Sequence, residues 1–428
     1  MPISSQSPER VSGFIYMMAI ISVVLLITGM FFSRAMMSIG MITAGLLFFN
    51  PLQIKNNFSR FLKSRELLCL SAIFLVYLLS GIYSEDQATL AERLTIKLPF
   101  LIMPLGFAAF PYFNTRHFNN LLYYFLILTS AASIWSLAQY IANYQEITAS
   151  YLSAKVIPTL VNHIRFSLMT AFAIFAGYYL IAQKHYFISI KEKYFIATLT
   201  LILFVFLHIL SVRSGLLAFY ATAATLLFIH TLKSDKKTES IAILSALFIL
   251  PIAAYFLSPT LKNKISYSIE DTSRFFNNED VNDYSDGNRL LSWKIGIEVG
   301  NTNPLIGAGV GDVKNLSFDI YKNRYPEIEA DNHLIPHNQF IFVYAAGGLL
   351  GVLIFSFATF YPLAINYSKF LFAAINIVFI SSYISEATVE TQLGTCIYLT
   401  FFLLTWNYYK GKEPKKEVEG TAEKAQVA

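Results

Sequence analysis

YFIATLTLILFVFLHILSVRSGLLAFYATAATLLFIHT, residues 194–231, is apolar almost from end to end. As one helix rising 1.5 Å per residue it would reach about 57 Å, nearly twice the ~30 Å hydrocarbon core of a bilayer. It therefore has to break, and its only charged interruption is Ser211-Val212-Arg213-Ser214. The stretch reads as two membrane spans with an arginine at the hinge.

Similar runs recur on both sides of it. Hydrophobic residues make up 55% of the 428 and charged residues 14%; the mean hydropathy is +0.51, far from a soluble domain. Twelve runs are close to spanning length: 12–32, 35–50, 67–83, 96–112, 119–143, 164–183, 194–210, 214–231, 240–257, 338–362, 370–385 and 391–409. The expected fold is an all-α polytopic membrane protein of about 12 transmembrane helices with one large, partly helical periplasmic loop. The chain divides into nine spans (1–257), the loop (258–336), three spans (337–409) and a charged tail (410–428) that reads as disordered and cytoplasmic.

Charge gives the orientation. With the N-terminus inside, the short inner segments hold Arg10; Lys55, Arg60, Lys63 and Arg65; Arg116; Lys184, Lys191 and Lys193; Lys233, Lys236 and Lys237; Lys369; and the tail lysines Lys410, Lys412, Lys415 and Lys416. The short outer segments are poor in lysine, as the positive-inside rule requires, and both termini fall inside. The net charge of +5 then reports topology rather than nucleic-acid binding. The first run is long enough to span, and no A-x-A-like cleavage site follows it, so it is not a removable signal peptide. Cys69 and Cys396 both fall inside spans and suggest neither disulfides nor thiolate metal sites. No internal repeat suggests the inverted halves of a transporter.

The outer loop carries pattern. Asn288 is a plausible N-cap for a helix in which Leu290, Trp293 and Ile297 recur at helical spacing, with Arg289 in its first turn. A turn follows, Pro304-Leu305-Ile306-Gly307-Ala308-Gly309-Val310-Gly311-Asp312, then a second helical piece over about 312–324. The loop closes on Ile335-Pro336-His337-Asn338, where the chain re-enters an apolar run through Gly347-Gly348 and Gly351. A titratable histidine at the mouth of a membrane helix is costly to hold near lipid, which makes it a functional candidate.

Four elements now occur in order: Ser211-x-Arg213-Ser214 between two spans; Arg289-x3-Trp293 followed by Pro304-x2-Gly307-x-Gly309-x-Gly311; His337-Asn338 opening a helix; and Gly347-Gly348-x2-Gly351 within it. The set resembles the O-antigen ligase family of bacterial inner-membrane glycosyltransferases, which includes lipopolysaccharide ligases, some O-antigen polymerases and protein O-oligosaccharyltransferases. The resemblance covers most of the chain, with its specific motifs between about 205 and 395. One departure is visible: members often carry an acid just before the first glycine of the helix, where this chain has Ala345-Ala346. No role for such an acid carries over.

The resemblance implies transfer of a glycan from undecaprenyl diphosphate to a sugar hydroxyl of lipid A-core or a similar acceptor, on the periplasmic face of the bacterial inner membrane. It implies inversion in one displacement, without a metal or other cofactor. Arginine suits a lipid-diphosphate leaving group because its planar fork binds phosphate oxygens and stays charged, which singles out Arg213 and Arg289. His337 would take the acceptor proton or orient the hydroxyl. The bland rivals are a helix-end anchor for Arg213, a surface pair with Asp286 for Arg289, and a helix-capping element for His337. Weaker candidates are Arg165, as a third phosphate contact or an interfacial anchor, and Glu386 and Glu390, as sugar-hydroxyl ligands or partners of an arginine. His208 reads as packed.

Some patterns are set aside. Gly307-x-Gly309-x-Gly311 lacks the preceding strand of a dinucleotide fingerprint, and the acidic stretch 279–287 misses the register of a calcium loop. His333 and His337 are separated by Pro336 and find no third ligand. Within the family the acceptor stays open among ligase, polymerase and protein-glycosylating enzymes, with one large outer loop leaning towards ligase. A lipid-linked-glycan transporter is the rival from another class. It predicts charges near the midplane rather than at the outer helix ends. Oligomeric state is not legible.

Overall fold

The structure, a computed structural model, describes residues 8–145, 157–183, 189–233, 259–277 and 285–413, with 238, 245, 255–256 and 282 between them. The expected span 240–257, the acidic stretch except 282 and 285–287, and the tail beyond 413 lie largely outside these residues. Among the described residues the regular structure is helical.

The helices are α1 (Pro8–Phe32), α2 (Arg34–Phe48), α3 (Ile54–Lys63), α4 (Arg65–Ser80), α5 (Gln87–Lys97), α6 (Pro99–Ala109), α7 (Thr115–Ala142), α8 (His163–Ala182), α9 (Ile190–Leu210) and α10 (Arg213–Lys233). After the loop helices α11 (Pro259–Phe276), α12 (Ser285–Asn301) and α13 (Val313–Arg324) come α14 (Gln339–Asn366), α15 (Phe370–Ser385) and α16 (Gln392–Gly411). Seven described helices are long and apolar enough to cross a membrane: Gly13–Phe32, Arg65–Tyr83, Thr115–Ala142, His163–Ala182, Ile190–Leu210, Arg213–Lys233 and Gln339–Asn366. Arg34–Phe48 and Phe370–Ser385 are apolar but shorter. The α16 helix is buried on every side from Gly394 to Tyr408, including Thr395, Thr400, Thr405 and Asn407. A helix surrounded by protein need not be apolar all round, which is why its hydropathy is modest.

The break demanded by residues 194–231 falls where the sequence puts it. Ser211 closes α9 in the left-handed conformation (φ 51°, ψ 34°), and Arg213 opens α10 two residues later. The Ser211 hydroxyl donates to the His208 carbonyl, a local partner that offsets part of the cost of positive φ in a residue with a Cβ. The run 96–112 differs from expectation: it is divided at Leu98, itself in helical conformation, where Pro99 starts α6, and Lys97 ends α5 fully buried.

Two expectations about the loop need correction. The helix expected to open at Asn288 begins at Ser285, so Asn288 lies buried inside it and caps nothing. The cap comes from another helix: Asp271 on α11 accepts from the amides of Asp286 and Gly287, both at 2.7 Å. The packed face also differs, running through Leu291, Ser292, Ile295, Gly296, Val299 and Gly300, whereas Leu290 and Trp293 are half-buried and Ile297 is exposed. Gly296 and Gly300 let α12 close on Pro336, Ile341 and Tyr344, where a Cβ would come within 2.4–2.5 Å of a neighbouring side chain.

The two glycine motifs meet in one joint. The α14 helix breaks at Gly348 (φ 61°, ψ −160°), which leaves carbonyls before the break and amides after it without helical partners. The turn 304–309 supplies them. Ala308 and Gly309 donate to the carbonyls of Ala345 and Ala346 at 2.8 and 3.0 Å, and Leu349 and Leu350 donate to those of Pro304 and Leu305 at 2.8 and 3.1 Å. Positive φ at Gly307 (75°) and Gly309 (93°) lets the turn reach in.

Candidate active site

The first turns of α8, α10, α12 and α14 and the last turn of α15 converge at one end of the bundle. At the mouth of α14, Asn338 is the N-cap: its side-chain oxygen accepts from Phe340 and Ile341 at 2.9 and 3.1 Å, and its amide donates to the Ile384 carbonyl at 2.8 Å. That leaves His337 free of the capping role. Its backbone is pinned to α12, its N–H donating to Ser292 Oγ at 3.1 Å and its carbonyl accepting from Trp293 Nε1 at 2.9 Å.

The His337 ring has a defined tautomer. Nδ1 lies 2.9 Å from the Ile335 carbonyl, which only accepts, so Nδ1 carries the proton and Nε2 keeps a lone pair when the ring is neutral. No described residue hydrogen-bonds Nε2. Burial pushes the pKa of His337 below the usual histidine value, and the charges of Arg289 and Arg165 push the same way. Glu386 and the Ile335 hydrogen bond oppose them in part. The group is neutral and basic at neutral pH.

Around it the charges form one set. Glu386, buried at the end of α15, stands 2.9 Å from Arg289 Nη2 and 3.6 Å from Arg165 Nη1. Arg165 is itself buried in the first turn of α8, behind the Asn162 cap. Asp286 pairs with Arg213 rather than with Arg289, and Ser268 links the two, accepting from Arg213 at 2.9 Å and donating to Asp286 at 2.6 Å. Asp271 sits below them; burial raises its pKa against the pull of the Gly287 amide and both arginines. The geometry thus brings together His337, Arg165, Arg289 and Glu386, with Arg213 tethered to the rim and half-exposed.

Glu390 faces away from this set, into a second, buried one. Its Oε1 accepts from Lys97 Nζ at 2.7 Å, Tyr77 Oη at 2.5 Å and Gln339 Nε2 at 2.7 Å, while Arg93 lies 3.9 Å from Oε2. Burial would raise the Glu390 pKa, but the charges of Lys97 and Arg93 outweigh it and hold the carboxyl ionised. Sequence reasoning missed Lys97, Arg93, Tyr77 and Gln339. The one available signal was a lysine at the edge of an apolar run that other lysines avoid. His208 is packed, with Nδ1 on the Phe204 carbonyl and Nε2 on Tyr220 Oη. His333 stacks on Tyr321.

Residues 198–356 match the protein-family model for O-antigen ligase (Wzy_C), a segment that holds Arg213, Arg289, His337 and both glycine motifs. Residues 198–356 form an O-antigen ligase family domain. No curated protein matches the chain. The O-antigen ligase domain ends before Glu386 and Glu390 and begins after Arg165 and Lys97, so Glu386, the partner of Arg289, comes from outside it, whereas Arg213 and His337 find their partners within it. The family implies an enzyme acting on lipid-linked glycans, in keeping with the several apolar, membrane-capable helices.

Proposed function

We propose that the chain is a glycosyltransferase that moves an O-antigen-type glycan from undecaprenyl diphosphate to a sugar hydroxyl of lipid A-core or a similar acceptor. It would work on the periplasmic face of the bacterial inner membrane, with both termini cytoplasmic. The single observation that carries this reading is His337: a neutral imidazole with Nδ1 tied to the Ile335 carbonyl and Nε2 open, beside Arg289 and Arg165, with Arg213 at the rim.

The acceptor oxygen attacks the anomeric carbon and gives its proton to His337 Nε2. The bond from that carbon to the phosphate oxygen breaks, and the lipid diphosphate leaves with the electron pair. One displacement inverts the anomeric centre. Arg213 and Arg289 receive the diphosphate, with Arg165 behind them; fixed cations in a water-poor site stabilise developing charge more than they would in bulk water. Glu386 holds Arg289 and Arg165 in place, and Glu390 serves the framework rather than a sugar. The chemistry asks nothing of a metal or nucleotide.

The test is transfer by purified protein given a lipid-diphosphate glycan and acceptor. Product formed without ATP supports the reading. No product with lipid A-core, a second lipid-linked glycan or a hydroxyl-bearing peptide, together with net flipping of the donor in liposomes, would replace the enzyme by a transporter. A deletion strain assigns the acceptor. Loss of long chains with accumulated lipid-linked glycan means ligase, and single repeats on core mean polymerase.

A further inference from the structure

Lys97 and Glu390 form an ion pair with almost no solvent exposure, 0% and 4%, in a part of the molecule that touches no proposed substrate group. Such a pair is weak evidence for stability, because desolvating two charges offsets most of their attraction and apolar replacements are often neutral or better. What this pair does is geometric. Lys97 Nζ donates to the Val389 carbonyl at 2.6 Å as well as to Glu390 at 2.7 Å, so one ammonium grips the 388–390 turn at backbone and side chain. From the other side Gln339 accepts from the Val389 amide at 3.1 Å and donates to Glu390 at 2.7 Å. Tyr77 completes the set, with its hydroxyl on Glu390 and its ring 4.4 Å from the ammonium.

The turn so held joins the two halves of the candidate site. Glu386, which grips Arg289 and Arg165, lies four residues before Glu390. Gln339 lies two residues after His337, and Asn338 between them is bonded to Ile384. We propose that Lys97, acting through Glu390 and Gln339, is a positioning residue that fixes the spacing between the His337 imidazole and the Glu386–arginine set. This rests on the glycosyltransferase reading only for its catalytic consequence.

The test uses the full chain in phospholipid nanodiscs and the isosteric, charge-free double variant Lys97→Met/Glu390→Gln. One readout is the transfer rate. The other needs no activity: the pH midpoint at which diethyl pyrocarbonate modifies His337, followed peptide by peptide by mass spectrometry. A shift of about 1 Å at a catalytic group is worth up to about a hundredfold in rate, so transfer should fall at least about tenfold. The His337 midpoint should shift, because Glu386 and the two arginines act on the ring with opposite signs and their balance depends on that spacing. Asn376→Ala, which removes an equally buried amide bonded to Phe372 and Tyr398 in mid-α15, should change neither readout. A double variant with wild-type rate and midpoint overturns the proposal, as does an Asn376→Ala variant that reproduces both effects. If the double variant does not fold, Gln339→Leu cuts the same link without touching either charge, and the same two readouts decide. Absence of transfer in the wild type would defeat the enzyme reading alone, and the His337 midpoint would still decide the positioning role.

Discussion

Gly347 and Gly348 are adjacent and chemically identical, yet replacing each by alanine should give opposite results. At Gly347 the backbone is helical, and an added Cβ first meets Val76 Cγ1 at 3.4 Å, an ordinary contact. Alanine there should be neutral or stabilise by about 0.5–1 kcal/mol, the usual gain over glycine in a helix. At Gly348 the backbone stands at φ 61°, ψ −160°, a region closed to side chains in practice, which costs about 1–3 kcal/mol for a residue with a Cβ. The Cβ would also sit 2.4 Å from the Leu305 carbonyl carbon and 2.5 Å from the Ile306 nitrogen. These are backbone atoms, so the turn 304–309 has to withdraw. Losing the two nearest links, from Leu349 and Leu350, costs about 1 kcal/mol each in net hydrogen bonding and more if the groups stay buried. The sum for Gly348→Ala is about 3–6 kcal/mol. Equilibrium unfolding of the purified protein in mild detergent, followed by tryptophan fluorescence, reads both variants on one scale. Limited proteolysis of the 304–311 turn provides a second readout, since a detached turn is cut sooner. If Gly348→Ala unfolds within 1 kcal/mol of Gly347→Ala, the inserted turn does not hold the broken helix and the joint has been misread.

The site makes sharper demands on chemistry. His337→Ala should lower turnover by about 10²–10⁴ while leaving binding of undecaprenyl diphosphate unchanged; wild-type turnover would remove His337 from the mechanism. Arg213→Ala and Arg289→Ala should both weaken donor binding, read by titration with the lipid diphosphate, but only Arg289→Ala should lower the melting temperature. Arg213 belongs to a rim pair worth about 1 kcal/mol or less, whereas losing Arg289 leaves the buried Glu386 with Arg165 alone. In the pH profile of kcat/KM, the acid limb should fall below the usual histidine value, since burial and two arginines favour the neutral ring. Glu386→Gln removes the carboxylate that raises the His337 pKa and should move that limb lower, while Arg165→Gln should move it higher; limbs that shift in the same direction would refute the assignment.

Hydropathy made most of the helices legible, because length and charge-free composition are local properties and lipid imposes them on every span. The break at Ser211 was legible for the same reason: no single helix of that length fits. The start of α12 was not. Its N-terminal amides are met by Asp271 on another helix, so the nearest sequence candidate, Asn288, was credited with a cap it does not provide. The burial of Lys97 escaped likewise, since the partner that makes a buried lysine tolerable, Glu390, lies 293 residues away in the chain.

The candidate residues divide along the same line. Arg213, Arg165 and His337 were visible because a charged or titratable group at the mouth of an apolar helix is anomalous wherever it points, and Arg289 through the loop motif that carries the family resemblance. What they do to one another was not visible. Asp286 looked like the partner of Arg289 because it is three residues away on the same helix, yet it pairs with Arg213 across the hinge, and Glu386 takes Arg289 instead. Glu386 and Glu390 looked alike, four residues apart at one junction, but the turn between them sends one towards the arginines and the other into the lysine set. The glycines make the strongest case. In the sequence, Gly307-x-Gly309-x-Gly311 and Gly347-Gly348-x2-Gly351 are two separate motifs. Together they are the two halves of one backbone joint, in which each supplies the hydrogen-bond partners the other has lost. Periodicity cannot report that, because the sign of φ at Gly348 leaves no mark on its neighbours. The joint ties the turn that follows α12 to the helix that His337 opens, so the arginine and the imidazole share one rigid frame before any substrate arrives.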